Sequence, residues 1–240
     1  MNALINETGA EILKALRAPE FLFPTLLMPC AFYSLFGVIL GGNNNATYLL
    51  ATYGVFAVMG PAIFGFGVGV AAERDRGWLQ LKRATPAPTY TYVSAKLITT
   101  LLFASLALMP IYLIAGFFGD VLLTREIWVS LFFVHICASI PFIFIGLSLG
   151  FSLSSGGVVA VSNLVFLGLA VLGGLWLPVF SFPSAMQTIA KFTPSYHLGQ
   201  LALATARVAG ERATDFNLIS ILIMSLVFLG LSLWTWSRQP

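Results

Sequence analysis

Long apolar runs alternate with short polar segments along the chain. Each run reaches the length of about 20 residues that an α-helix needs to cross a bilayer. Six such runs occur, at residues 21–41, 48–72, 97–119, 127–151, 158–178 and 217–236. Backbone groups in lipid must be hydrogen-bonded internally, and the runs do not alternate as barrel strands do. The pattern therefore predicts six transmembrane helices.

The composition supports a membrane protein. Only 9% of the 240 residues are charged and 58% are hydrophobic, whereas a soluble domain carries about 25% charged residues. The chain is also too apolar to be disordered. We therefore expect one all-α membrane domain over residues 1–240. Cys30 and Cys137 lie in apolar runs, so no disulfide framework is expected.

Lysine and arginine positions predict the orientation, because these residues are enriched in cytoplasmic segments. With the N-terminus inside, eight of them fall in inner segments and four in outer ones. The inner ones are Lys14, Arg17, Arg74, Arg76, Lys82, Arg83, Lys96 and Arg238. Both termini are thus predicted to be cytoplasmic. The net charge of +3 is too small to indicate a nucleic-acid partner.

Residues 1–20 precede the first apolar run and are predicted to form an amphipathic helix. At 100° per residue, Ile5 and Ile12 lie in one narrow arc, and Glu11 and Lys14 lie on the opposite side. A helix with one apolar and one charged face lies in the plane of the membrane. We expect an interfacial helix, with a frayed tail as the alternative.

The inner loop at residues 73–96 is the most polar stretch of the chain. Gly77 permits a sharp turn after the second run, and Pro86 stops any short helix. Trp78 lies among arginines, and both residue types are enriched at protein interfaces. The pattern predicts a short helix presented to the cytoplasm. The alternative is that the basic residues serve only to orient the protein.

This loop resembles a known family. The run ERDRG at 73–77, followed by Leu81, Thr85-Pro86 and Lys96, is similar to a stretch of the ABC-2 type permeases, the membrane subunits of type V ABC exporters. The resemblance implies that the loop is a coupling helix that fits a groove on an ATPase subunit. The implied coupling residues are Glu73, Arg74, Arg76, Gly77, Trp78, Leu81, Thr85 and Pro86. Gln80 departs from the family pattern, in which Glu is more common.

The outer segment at residues 179–216 is too long for a simple connector and too apolar for a free tail. A capping-box pattern at Ser184 predicts a short helix to Phe192. Thr193 followed by Pro194 predicts the start of a second helix. Two short apolar helices suggest a hairpin that dips into the outer leaflet, and a folded outer cap is the alternative.

The prolines of this segment also resemble the ABC-2 family, in which re-entrant helices close the pathway on the outer side. The outer-gate residues implied are Pro178, Pro183, Pro194, Tyr196 and His197.

Groups for chemistry are scarce. The sequence has no Gly-rich phosphate loop ending in Lys-Ser or Lys-Thr, so this chain is not expected to hydrolyse ATP. His135 is the one ionisable residue well inside a predicted span, which makes it a candidate for the pathway. It has no companion at metal-ligand spacing on its helix. A structural or pore-lining role and a role as a cation or heme ligand both remain open.

These observations favour the non-catalytic permease subunit of an ATP-driven exporter in the bacterial inner membrane. ATP and Mg²⁺ would be bound by a partner ATPase, and a second permease copy or a paralogue would complete the pathway. Few charges in the spans favour an amphiphilic or lipid-like substrate, such as a drug, antibiotic, lipid or glycan. The alternatives are a six-helix membrane enzyme acting on lipids and a secondary carrier or channel.

Overall fold

The computed structural model describes residues 2–18, 23–40, 43–84, 89–208 and 215–238. Within these ranges the chain is helical and contains no strand, so the predicted all-α class is confirmed there. The helices of the first half of the chain are α1 (Asn2–Leu16), α2 (the consecutive stretches Phe23–Leu27, Met28–Phe32 and Tyr33–Ile39), α3 (Asn43–Asp75), α4 (Trp78–Ala84) and α5 (Thr89–Phe118). The helices of the second half are α6 (Arg125–Ser152), α7 (Ser155–Leu172), α8 (Ser184–Ala190), α9 (Pro194–Thr205) and α10 (Asp215–Ser237), with a short 3₁₀ turn at Val179–Ser181.

Five of the described helices are long and apolar enough to cross a membrane, namely α3, α5, α6, α7 and α10. The first predicted run is different, because the apolar part of α2 covers only Thr25–Ile39. An α-helix of this length measures about 22 Å, against about 30 Å for the hydrocarbon core. By length, therefore, the described residues contain five spanning candidates and one shorter apolar helix.

Helix α2 is wider than an ordinary α-helix at both ends. Phe23–Leu27 and Tyr33–Ile39 are π-helical, and the N–H of Leu40 donates to the carbonyl of Leu35 five residues back. Pro29 at the start of the α-helical stretch has no N–H to donate. A π-helix rises less per residue than an α-helix, so this segment is shorter than its sequence suggested.

The fifth predicted run, 158–178, ends too late. Helix α7 stops at Leu172, and Gly174 then adopts a positive φ of 72° that favours glycine. A Cβ on Gly173 would lie 2.1 Å from Ser195 Oγ. Position 173 must therefore be glycine for α9 to pack closely against the end of α7. The apolar residues after 172 belong to the connecting segment.

Helix α3 is the centre of the bundle. Its spanning window is 72% buried, whereas that of α10 is 11% buried. A Cβ on Gly146 of α6 would lie 2.8 Å from the carbonyl of Ala62, and one on Gly150 would lie 2.8 Å from that of Gly67. Such glycine pairs let helix backbones touch in membranes. The pair at 146 and 150 therefore serves packing within the chain.

Successive long helices run antiparallel, so the bundle has two distinct ends. The charged end carries α1, α4 and the turn between α6 and α7. The opposite end carries the turn between α5 and α6 together with α8. The residues that resemble the coupling loop lie at the charged end, and those that resemble the outer gate belong to the segment that connects α7 with α10.

Candidate functional site

A cluster of charged side chains joins three helices at the charged end. Lys96 of α5 places Nζ 2.9 Å from Glu11 Oε2 of α1 and 3.1 Å from Glu73 Oε1 of α3. Lys14 of α1 also contacts the Glu73 carboxylate. The Tyr92 hydroxyl donates to Glu73 Oε2 at 2.5 Å. We refer to these five residues as the ion cluster.

The ion cluster is balanced and mostly buried. Two ammonium groups face two carboxylates, and the side chains of Lys96 and Glu73 are 3% and 7% exposed. Removing charges from water costs several kcal/mol per ion, and this cost is offset only by close pairing and hydrogen bonds. Sequence reasoning used Lys96 only as part of a motif and missed its contacts, since they join residues more than 20 positions apart.

Helix α1 packs its charged side against the bundle. Glu11 and Lys14 reach α3 and α5 through the ion cluster, whereas Ile5 and Leu16 are 62% and 54% exposed. The two predicted faces are therefore present. The charged face contacts the rest of the bundle, and the apolar face is exposed.

The next two residues after Glu73 bind the turn between α6 and α7. The Arg74 guanidinium donates to the carbonyls of Gly150, Phe151 and Leu153 at 3.0, 2.6 and 2.6 Å. These carbonyls lie at the end of α6, where the helix dipole favours a cation.

Asp75 acts on the other side of the same turn. Its Oδ2 accepts from the backbone N–H of Ser155 at 2.7 Å, at the start of α7, where the dipole favours an anion. Asp75 Oδ1 also accepts from Arg74 Nη2 at 3.0 Å. Consecutive residues at the end of α3 thus hold the end of one helix and the beginning of the next.

Gly77 turns the chain from α3 into α4 with a φ of 74°, as its position in the sequence predicted. Leu79 is buried at 8% exposure, whereas Trp78 and Leu81 are 54% and 67% exposed. Arg76 is also exposed. Helix α4 therefore packs against the bundle with one face and exposes aromatic and aliphatic side chains on the other.

The structure divides the residues of the predicted coupling set. Arg76, Trp78 and Leu81 are exposed, but Glu73 and Arg74 use their charges inside the chain. The Glu73 carboxylate, which the resemblance places in the coupling set, is already enclosed by two lysines and a tyrosine of this chain. Thr85 and Pro86 lie outside the described residues.

The segment after α7 forms two short helices, as predicted, but the first begins differently. The capping box at Ser184 is wrong: Pro183 precedes the helix, and no side chain caps it. The Gln187 amide instead donates to the Phe182 carbonyl at 2.8 Å. The second start is confirmed, since Thr193 Oγ1 accepts from the N–H of Tyr196.

The predicted outer-gate residues are spread over this segment. Pro194 and His197 are buried in α9, Tyr196 and Pro178 are half-buried, and Pro183 is exposed. His197 Nε2 lies 2.9 Å from the Lys191 carbonyl, and its Nδ1 lies 2.9 Å from Oδ1 of Asn217 at the start of α10. Since a carbonyl only accepts, Nε2 carries a hydrogen. His197 thus links the end of α8 with α9 and α10.

His135 is fully buried between three helices. Its Nε2 donates to the Ala51 carbonyl at 2.9 Å, and its Nδ1 lies 2.9 Å from the Tyr112 hydroxyl. A Cβ on Gly54 would lie 2.1 Å from the ring, so the glycine provides the space for the imidazole. A neutral imidazole with its hydrogen on Nε2 satisfies both contacts.

In the part of the chain that the structure describes, no three His, Cys, Asp or Glu side chains are grouped to hold a metal ion. Cys30 and Cys137 are free.

Comparison with known proteins gives two matches. Residues 33–234 match the family described as "ABC-2 family transporter protein". The full chain is 30% identical over 245 residues to "Putative transport permease YvfS" of Bacillus subtilis (strain 168), covering 99% of that protein.

The ion cluster predicts unequal effects for its two lysines. Lys96→Met should lower stability by about 3–5 kcal/mol, because it leaves buried carboxylates without their main partner. Lys14→Met is the matched control and should cost about 1 kcal/mol or less, since Lys14 is 46% exposed. Thermal unfolding of the purified protein in detergent measures both.

A double variant separates charge pairing from packing. Glu73→Gln in the Lys96→Met background removes both charges and should cost less than the sum of the single changes. Strict additivity, or equal effects of the two lysine variants, would contradict the assigned pairing.

His135 should be replaceable by a side chain that donates and accepts. His135→Gln should retain most of the thermal stability, whereas His135→Leu removes the hydrogen bonds of the ring with the Ala51 carbonyl and the Tyr112 hydroxyl. The Ala51 carbonyl keeps its bond within α3, so the main cost is the unpaired Tyr112 hydroxyl, about 1–3 kcal/mol. Unfolding temperatures of the two variants test this. Equal losses would argue against these hydrogen bonds.

Proposed function

The chain belongs to the ABC-2 transporter family, and from this premise we propose that it is the membrane subunit of an ATP-driven exporter. A separate ATP-binding subunit would hold ATP and Mg²⁺ and hydrolyse the nucleotide. The observation that supports this best is α4. It is a short helix with exposed Trp78 and Leu81, fixed to the end of the central helix by the turn at Gly77.

The proposed contact with the ATPase consists of Arg76, Trp78 and Leu81. Aromatic and arginine side chains supply much of the energy of protein interfaces, and all three residues are exposed. Glu73 and Arg74 are proposed to support this contact from within the chain, because they fix the end of α3, and with it α4, to the bundle. Thr85 and Pro86 follow α4 directly in the sequence and are proposed to bound the contact.

Movement of α4 would reach four helices at the charged end, namely α1, α5, α6 and α7. A displacement of the end of α3 carries Glu73 and thereby pulls on α1 and α5 through the ion cluster. The same displacement carries Arg74 and Asp75, which bind the turn between α6 and α7. ATP-driven closure of the partner would in this way shift the bundle between two arrangements, which is what coupling requires.

A second copy of the chain, or a paralogue, is proposed to complete the pathway. The spanning windows of α7 and α10 are only 22% and 11% buried, so both offer long apolar surfaces to lipid or to another subunit. The full transporter would contain six spans per copy. Helix α2 serves as the sixth, because a segment shorter than the bilayer is accommodated by local thinning.

The hairpin of α8 and α9 is proposed to close the pathway at the opposite end. Pro178 and Pro183 shape its approach, and Pro194 starts the buried helix α9. His197 and Tyr196 lie in α9, where His197 connects α8 to α10. Helix α9 is buried against the bundle, whereas α8 is largely exposed. This difference would suit a hairpin that re-enters the membrane.

We place the protein in the bacterial inner membrane with both termini in the cytoplasm. The basic residues of the charged end support this orientation, and α1 would lie at the inner surface with its apolar face in lipid. The cargo proposed is amphiphilic or lipid-like. His135 is proposed to hold α3, α5 and α6 together rather than to contact cargo, since both of its nitrogens are engaged.

The orientation can be tested with two cysteine probes in a background without Cys30 and Cys137. Leu122 lies in the turn between α5 and α6 at the opposite end and is 95% exposed, so Leu122→Cys probes that end. Gln80 lies on α4, so Gln80→Cys probes the charged end. An impermeant thiol reagent should label position 122 in intact cells, and position 80 only after permeabilisation. Labelling of position 80 in intact cells would reverse the topology.

The coupling contact can be tested with two tryptophans of nearly equal exposure. Trp78 is 54% exposed and Trp234 of α10 is 52% exposed. Trp78→Ala should weaken association with the ATPase by about 1–3 kcal/mol, the scale of a hot-spot loss, and ATP-dependent efflux should fall with it. Trp234→Ala should leave association unchanged. Pull-down of the ATPase and efflux from reconstituted vesicles measure the two effects.

If the Trp78 variant keeps full association and efflux, the polar loop serves only to orient the chain, and α4 is not the coupling helix. An equal loss in both variants would point to a general effect on folding instead.

A further inference from the structure

A cavity of about 500 Å³ opens at the charged end between α1, α3, α5 and α7. Its walls are apolar for the most part, including Phe64, Val68, Phe103 and Val159. Volumes of about 300–1,000 Å³ with such walls are typical of sites for small molecules. Arg76 is shared with the proposed ATPase contact, whereas Trp78 and Leu81 do not line the cavity, so the coupling role does not account for this space.

One stripe of α3 forms the long wall of the cavity. It consists of positions three or four residues apart, which share one face of a helix. The stripe contains Pro61, Phe64, Gly65, Val68, Gly69, Ala72 and Arg76. A Cβ at Gly65 would make an ordinary contact with Thr100 Oγ1 on the facing helix, at 3.5 Å, so only a side chain larger than alanine would reach far into the cavity.

The volume of the cavity indicates how much hydrocarbon it can hold. A cavity of about 150 Å³ binds benzene, which corresponds to about 25 Å³ per carbon atom. At that density a cavity of about 500 Å³ holds roughly 20 carbon atoms. The space therefore suits one hydrocarbon chain and is too small for two.

Three of the four charged side chains that line the cavity are cationic. Of the charged residues that line it, Glu11, Lys14 and Lys96 belong to the balanced ion cluster. Arg76 also lines the cavity, is exposed, and forms no ion pair with another residue that the structure describes. The deeper wall offers hydroxyls, and Thr99 has a buried Oγ1 without a hydrogen-bond partner.

We propose that this cavity binds a single-chain amphiphile with an anionic headgroup. The chain lies along the α3 stripe, and the headgroup meets the Arg76 guanidinium and the Lys14 ammonium at the mouth. A charge-assisted contact of this kind is about twice as strong as a neutral hydrogen bond. Binding goes beyond the coupling role, because it requires neither an ATPase nor transport of the same molecule.

Native mass spectrometry of the purified full-length chain, without any ATPase, tests the site. The probes are lysophosphatidylglycerol, its zwitterionic counterpart lysophosphatidylcholine, the two-chain dioleoylphosphatidylglycerol, and glycerol phosphate as a headgroup without a chain. We expect saturable binding of one lysophosphatidylglycerol per chain, about tenfold tighter than that of each other probe, which corresponds to about 1.4 kcal/mol.

Two pairs of variants locate the binding. Gly65→Leu fills the cavity and should abolish binding, whereas Gly116→Leu on α5 has open space around it and should not. Arg76→Gln should lower affinity for lysophosphatidylglycerol about tenfold and remove the preference over lysophosphatidylcholine. Arg238→Gln, at the same end of the bundle, should change neither.

Gly65→Ala provides a smaller change if the leucine variant unfolds, and it should weaken binding without loss of thermal stability. Equal binding of glycerol phosphate would replace the amphiphile by a simple anion, and equal binding of the diacyl lipid would exclude a one-chain site. Either result overturns the proposal, as does unchanged binding in both Gly65 variants. None of these outcomes depends on whether the chain couples to an ATPase.

Discussion

The arrangement of the charged end depends on one requirement, that charges removed from water must be paired. Glu73 lies near the end of the central helix and is almost completely buried, so its carboxylate needs cations close by. Lys96 supplies one from α5 and Lys14 supplies another from α1. This requirement brings the N-terminal helix onto the bundle. It also fixes the point at which α3 leaves the core and turns into α4.

Much of the fold follows from the apolar pattern, because helices in lipid must satisfy their own backbone groups. The sequence therefore predicted the long helices, the turn at Gly77 and the start of α9 at Thr193. Its motif at residues 73–96 also predicted the family, which the family match over residues 33–234 confirms. Errors arose where apolar composition continued beyond the helix. Residues after Leu172 are apolar, yet close contact between Gly173 and Ser195 requires a turn.

The site was less predictable, since its contacts join distant parts of the chain. Periodicity identified two faces on α1 but could not say which face meets protein. In water the apolar face would pack inward. Beside lipid the preference reverses, because the apolar face is already solvated and the charged face needs partners. The ion cluster satisfies Glu11 and Lys14 within the bundle and leaves Ile5 and Leu16 exposed. The contacts of Arg74 with the carbonyls after residue 149 likewise had no local signal in the sequence.

The two proposed sites share Arg76, and this has a thermodynamic consequence. One guanidinium cannot bind an anionic headgroup at the cavity mouth and a group of the ATPase at full strength simultaneously. If both sites use it, occupancy of one must change the affinity of the other, and the effect on binding must be equal in both directions. Lys14 extends the link, since it lines the cavity and contacts Glu73. An amphiphile at the mouth would then weaken the hold of α1 on α3, and the ATPase would bind a bundle whose charged end is already partly released.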